Sequence, residues 1–75
     1  MYERMLRKAS TIRRFTITHL PSAGWDVREE QDSRVLRRVV YQDWHRVERA
    51  SLAFALEAQA LLQSGWVETN TGSGL

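Results

Sequence analysis

The chain contains no cysteine, which removes disulfides and thiolate metal sites from the ways a small domain can be held together. Its two histidines, His19 and His45, are too few for a structural zinc site unless carboxylates complete the shell. No run of apolar residues approaches the roughly 18 that point to a membrane span. The N-terminus lacks the apolar centre of a secretory signal. The first 14 residues are rich in arginine, as a transit peptide is, but Glu3 and the brevity of the segment argue against that role. A cysteine-free chain fits a reducing compartment. These absences together lead us to expect a cytoplasmic, soluble protein with no metal, no cofactor, no membrane partner and no small-molecule ligand.

What is present is short. A chain of 75 residues suffices for one small domain, which buries only about 60% of the surface its unfolded form exposes. Self-association is the remaining common aid to stability. The basic isoelectric point, about 9.7, raises nucleic acid as a partner, so the placement of charge matters. Residues 1–14 carry Arg4, Arg7, Lys8, Arg13 and Arg14 against Glu3, a balance of +4, and the other 61 residues carry six arginines against eight acids, a balance of −2. The positive charge sits at the N-terminus and the body is slightly acidic.

Tyr2, Met5, Leu6 and Ala9 fall at i, i+3, i+4 and i+7, the pattern of a short amphipathic helix. We assign residues 1–11 to a basic amphipathic arm. From Ile12 the period becomes two: Phe15 and Ile17 alternate with Arg14, Thr16 and Thr18, as in a half-buried strand. Pro21 and Gly24 interrupt it. Trp25 and Val27 open a second strand, Asp32-Ser33 supplies a turn, and Val35 to Tyr41 makes a third. An odd register places Trp25, Val27, Val35, Val39 and Tyr41 on one face with Phe15 and Ile17. It also sets Glu29 beside Arg37 as a cross-strand ion pair.

Asp43 is a candidate N-cap for a helix from Trp44 to about Ser64, with Gly65 as the left-handed residue that ends it. Trp66 and Val67 fold back on the helix end. Residues 68–75 read as a disordered tail. The predicted fold is therefore α+β: a three-stranded antiparallel meander over Ile12–Tyr41, packed against one long C-terminal helix over Asp43–Ser64, with a short N-terminal helix, in the order α-β-β-β-α. The domain spans residues 12–67.

Residues Ser51 to Gln63 are apolar on more faces than one helix needs. Trp44, Val47, Ser51, Phe54, Ala55, Ala58, Leu61 and Leu62 make the stripe that faces the sheet. Leu52, Leu56 and Ala60 make a second ridge, with His45 and Arg49 as its polar rim, the usual composition of a protein interface. The N-terminal helix is one candidate cover for that ridge, and a second copy of the chain is the other. We expect a non-catalytic interaction protein that forms a homodimer through His45, Arg49, Leu52, Leu56 and Ala60. An enzymatic reading would make His45 a general base oriented by Asp43 or Glu48, but no nucleophile or second carboxylate is fixed beside it. A ligand pocket lined by Trp25, Tyr41 and Phe54 is a further alternative, constrained by the little room such a fold leaves.

The competing expectation is a nucleic-acid-binding module that uses the basic arm and the outer sheet face. Its candidate contacts are Arg14, Arg28 and Arg38, since a three-stranded sheet can present arginine to guanine edges. Asp26 and Glu30 on that face would repel phosphate. The order strand, strand, strand, helix, with Gly24-Trp25-x-Val27-Arg28 and Trp44-x-x-Val47-Glu48-x-Ala50, resembles plant and phage-integrase arm-type DNA-binding domains. With the N-terminal helix included it is similar to a double-stranded-RNA-binding domain. Asp43 and Glu48 stand where the RNA-binding family has lysines, and the glycine-rich strand ends of the DNA-binding families are missing. No family is assigned.

Overall fold

The segment expected to open the chain as a helix is a β-strand. In the computed structural model, which describes residues 2–69, the elements are β1 (Tyr2–Lys8), β2 (Thr11–Leu20), β3 (Gly24–Gln31), β4 (Arg34–Tyr41), helix α1 (Trp44–Gln63) and β5 (Val67–Thr69). The strands form one five-stranded antiparallel sheet in the order β4-β3-β2-β1-β5. This corrects the expected three-stranded meander with an N-terminal helix. The protein is a small α+β domain, but its sheet has five strands and its single helix follows the fourth.

The physical reason lies in β1 itself. Tyr2, Met5, Leu6 and Ala9 satisfy a helical period, yet Tyr2 and Leu6, four apart, also share one face of a strand, with Arg4 between them. An isolated helix of this length is marginal in water. As a strand, the segment pairs with β2 on one edge and with β5 on the other, and Leu6 becomes fully buried. The turn into β2 is Ala9-Ser10, with Lys8 opposite Thr11 and Ala9 at φ 55°. Alanine carries none of the side-chain features that mark a turn in sequence.

The next hairpins are more legible. Leu20 faces Gly24 across the Pro21–Ala23 loop, where the Ala23 amide donates to the Leu20 carbonyl at 3.1 Å. Asp32 and Ser33 both adopt positive φ, 52° and 69°, the requirement of a tight primed hairpin whose twist matches its strands. The Asp32 side chain ties that turn back to β2 by accepting from the Ile12 amide at 3.0 Å. Trp25 faces Tyr41 and Val27 faces Val39, but a bulge between Glu29 and Glu30 sets Val35 opposite Glu30. The bulge inserts one residue and so moves Val35 off the inner face; Val35 and Leu36 are exposed.

The helix crosses the inner face and the core forms between them. Leu6, Phe15, Ile17 and Val27 come from the sheet; Val47, Phe54 and Ala58 come from the helix. The Phe15 and Phe54 rings are 4.9 Å apart and tilted. Asp43 caps the helix, its carboxylate accepting from the His45 amide at 3.0 Å. At the other end Gly65 takes φ 97°, the Gly65 amide donates to Leu62 and the Trp66 amide to Leu61. This paired closure turns the chain sharply and packs Trp66 beside the core with Leu61 and Leu62. It delivers β5 to β1, where the Arg4 guanidinium donates to both Glu68 carboxylate oxygens, at 2.8 and 2.6 Å. Of the segment expected as a tail, Glu68 and Thr69 belong to β5, and residues 70–75 lie outside the described residues.

Candidate functional site

A helix whose Phe54 points into the core must carry residues about half a turn away on its back. His45, Arg49, Leu52, Leu56 and Ala60 are all exposed there, so the structure brings the five residues of the expected ridge together. Leu52 is 64% exposed and Leu56 65%. The N-terminal segment that was one candidate cover is committed to the sheet as β1 and leaves both leucines exposed. His45 is 86% exposed, with its Nδ1 3.6 Å from Glu48. Asp43, the residue that would orient it as a base, instead binds its backbone amide.

Two hollows flank the helix. On the β1–β2 side a groove of about 630 Å³ lies between Tyr2, His19, Trp25, Trp44 and Leu52. Its rings lie close to one another: His19 and Trp25 are 5.2 Å apart, Trp25 and Trp44 5.3 Å. On the opposite flank a cleft of about 410 Å³ separates the helix from β3 and β4, with Val27, Val39, Tyr41 and Phe54 among its apolar walls. The pocket expected from Trp25, Tyr41 and Phe54 is therefore not one pocket. Trp25 belongs to one hollow, Tyr41 and Phe54 to the other.

Three arginines line that second cleft: Arg37 from β4, and Arg46 and Arg49 from the helix. The ion pair expected between Glu29 and Arg37 does not form, although the two residues face each other across the strands. Glu29 turns to Arg13, which also holds Glu57 at 2.6 Å. Among the described residues no carboxylate pairs with Arg37, Arg46 or Arg49. This charged cleft was missed in the sequence because its residues come from separate elements, and no spacing announces that Glu29 chooses Arg13.

The outer face of the sheet carries the other three candidate residues. Arg14 pairs with Glu3 at 2.7 Å. Arg28 and Arg38, opposite each other in register, both bind Asp26 Oδ2 at 2.9 Å, and Arg28 reaches Glu30 at 3.5 Å. Asp26 is only 6% exposed although it stands on the face away from the helix. The two guanidiniums hold its carboxyl below the usual carboxylate range, chiefly through the hydrogen bond from Arg38. All three arginines are thus already neutralised locally. In the expected basic arm, Arg4 is held by Glu68 and Lys8 donates to the Ser64 carbonyl at 3.0 Å.

These carboxylates give the protein an acid profile with two opposing parts. Burial, and then the nearby Glu57, push Glu29 above its ordinary range; Glu68, bound by Arg4, is held below it. The folded state binds a proton at Glu29 more tightly than the unfolded chain does, so acidification through that raised pKa adds stability. Asp26 and Glu68 behave oppositely, and their contribution is lost as pH falls below the ordinary values of 3.8 and 4.5. The thermal midpoint is expected to rise slightly as pH falls toward the ordinary glutamate value of 4.5, then to fall as Asp26 and Glu68 are protonated. Glu29→Gln should remove the rise. A steady decline from neutral pH, or a rise that survives this substitution, would contradict the assignment.

No group of histidine and acidic residues among the described residues is placed to hold a metal ion, and no helix is long and apolar enough to cross a membrane. No family model, curated protein or solved structure matches the chain. The functional reading rests on the geometry alone.

Proposed function

We propose that the protein is a non-catalytic interaction module that forms a homodimer through the back of α1. The observation that carries this reading is the exposure of Leu52 and Leu56 at the centre of the helix, 64% and 65%, in a fold with no further element to cover them among the described residues. Burying each leucine contributes roughly 1.5–3 kcal/mol.

The side-chain pattern of the ridge favours a second copy as its cover. In an antiparallel pairing with a twofold axis at residue 54, Leu52 meets Leu56 of the second copy, Arg49 meets Gln59 and His45 meets Gln63. Such an isologous contact repeats itself on both sides of the axis, and no like charges are opposed. The other long unpartnered element lacks this property. Opposed residues share a face, so antiparallel pairing of β4 with its own copy about its centre sets Arg37 against Arg37 or Arg38 against Arg38, and either is repulsive. The nucleic-acid reading has weaker support, because phosphates would have to displace Glu3, Asp26 and Glu30 from Arg14, Arg28 and Arg38.

The wild-type protein is expected to show a dimer mass by light scattering at micromolar concentration, and Leu52→Glu with Leu56→Glu is expected to show a monomer. Both positions are exposed, so the circular dichroism of the variant should match the wild type. A wild type that stays monomeric at about 100 µM, or a dimer that survives the double substitution, would reject this ridge. A salt-dependent mobility shift with duplex DNA, lost on changing Arg14, Arg28 and Arg38 to alanine, would favour nucleic acid instead.

A further inference from the structure

Of the ten arginines, Arg4, Arg13, Arg14, Arg28 and Arg38 pair with acids. Three of the other five line one cleft, between α1 and the β3–β4 hairpin. Arg37, Arg46 and Arg49 surround it without a carboxylate partner, while its one acid, Glu29, is turned away to Arg13. Beneath these cations the surface is apolar: Val27 and Val39 on the sheet, Tyr41 and Phe54 as aromatic walls, Ala50 and Ala53 on the helix. The two alanines keep the helix side of the cleft open. A volume of about 410 Å³ lies within the range of small-molecule sites, which combine apolar walls with a few convergent polar groups.

We propose that this cleft is a binding site for a small amphipathic organic anion, its apolar body against Val39, Tyr41 and Phe54 and its carboxylate or phosphate group held by Arg37, Arg46 and Arg49. Guanidinium groups suit this task because their planar forks match carboxylate and phosphate oxygens and are weakly hydrated. The arginines that line the cleft come from two elements, β4 and α1, which a single solvated helix face would not require. The site is independent of the dimer reading, since Leu52 and Leu56 lie on the back of the helix and only Arg49 borders both surfaces.

The test uses octanoate, with octanol and octylammonium as neutral and cationic controls of the same chain length. Calorimetric titration of the full chain, with amide shifts followed by NMR, is expected to show octanoate binding at least about tenfold more tightly than either control. The affected amides should include Val39, Ala50 and Ala53. Arg37→Gln with Arg46→Gln should weaken octanoate at least about tenfold and leave octanol unchanged. Ala53→Leu, at an exposed helix position, should obstruct both. A Leu52→Gln, Leu56→Gln variant, which adds no carboxylate one turn from Arg49, should bind octanoate as the wild type does, which separates this site from the ridge. Equal binding of octanoate and octanol, undiminished binding in the arginine variant, or shifts confined to the ridge would overturn the proposal. So would absence of octanoate binding in a protein that captures an acidic, leucine-rich peptide, which would assign the cleft to a protein segment.

Discussion

Replacing Gly24 with alanine is expected to cost at least about 3 kcal/mol, enough to unfold a large part of the population on warming. Gly24 opens β3 at φ 107°, a backbone conformation whose strain for an L side chain is about 1–3 kcal/mol. Space is the second obstacle. A Cβ there would stand 2.1 Å from the Tyr41 carbonyl oxygen and 3.1 Å from the Gln42 Cα. Both are backbone atoms at the junction of β4 and the helix cap, so relief requires moving the sheet edge or the start of α1. A domain of this size has about 4–11 kcal/mol in total at the usual stability per residue. The thermal midpoint should therefore fall by about 12 °C or more. Gly65→Ala is the control: its φ is also positive, but an added Cβ meets only the Lys8 side chain, no nearer than 3.8 Å. Its cost should be the backbone strain alone, about 1–3 kcal/mol. Equal losses at the two glycines would show that the close approach at Tyr41 does not decide the matter.

The second large effect tests the strand that the sequence disguises. Leu6 is fully buried against the helix side of the sheet, and Leu6→Ala should cost about 2–5 kcal/mol by lost transfer energy and the cavity left behind. Met5 points to the opposite face, where it is only half-buried. Met5→Ala should cost less than about 1 kcal/mol. A helix through these residues would set Met5 and Leu6 on one apolar stripe and make their losses similar. Chemical denaturation of the two variants separates the cases, and similar losses would refute the strand assignment.

Much of the sheet is legible because half-buried strands impose alternation. Phe15 and Ile17, and then Trp25 and Val27, identify their faces and fix the pairing of Trp25 with Tyr41. The helix announces both its ends, through Asp43 and Gly65. What fails is equally physical. β1 reads as a helix because adjacent Met5 and Leu6 are both apolar, and its turn sets an alanine, Ala9, at the positive-φ position, where sequence gives no sign of it. β5 is three residues long and owes its place to β1 rather than to its own pattern. The bulge at Glu29 and Glu30 re-aims Val35, a local event without a sequence mark. For the site, the leucine ridge is readable from one helix alone. The arginine cleft is not, because it depends on which cation Glu29 selects in three dimensions.

The union of β5 with β1 also governs the order in which the molecule assembles. Arg4 and Glu68 stand 64 positions apart along the chain, so their meeting relies on the hairpins and the helix between them to bring the two ends together. Hairpins joined by turns of two or three residues can zip early, whereas this last seam must wait until the helix has crossed the sheet. The clasp between Arg4 and Glu68 is a latch, expected to fasten after the rest has folded and to open first when the molecule loosens.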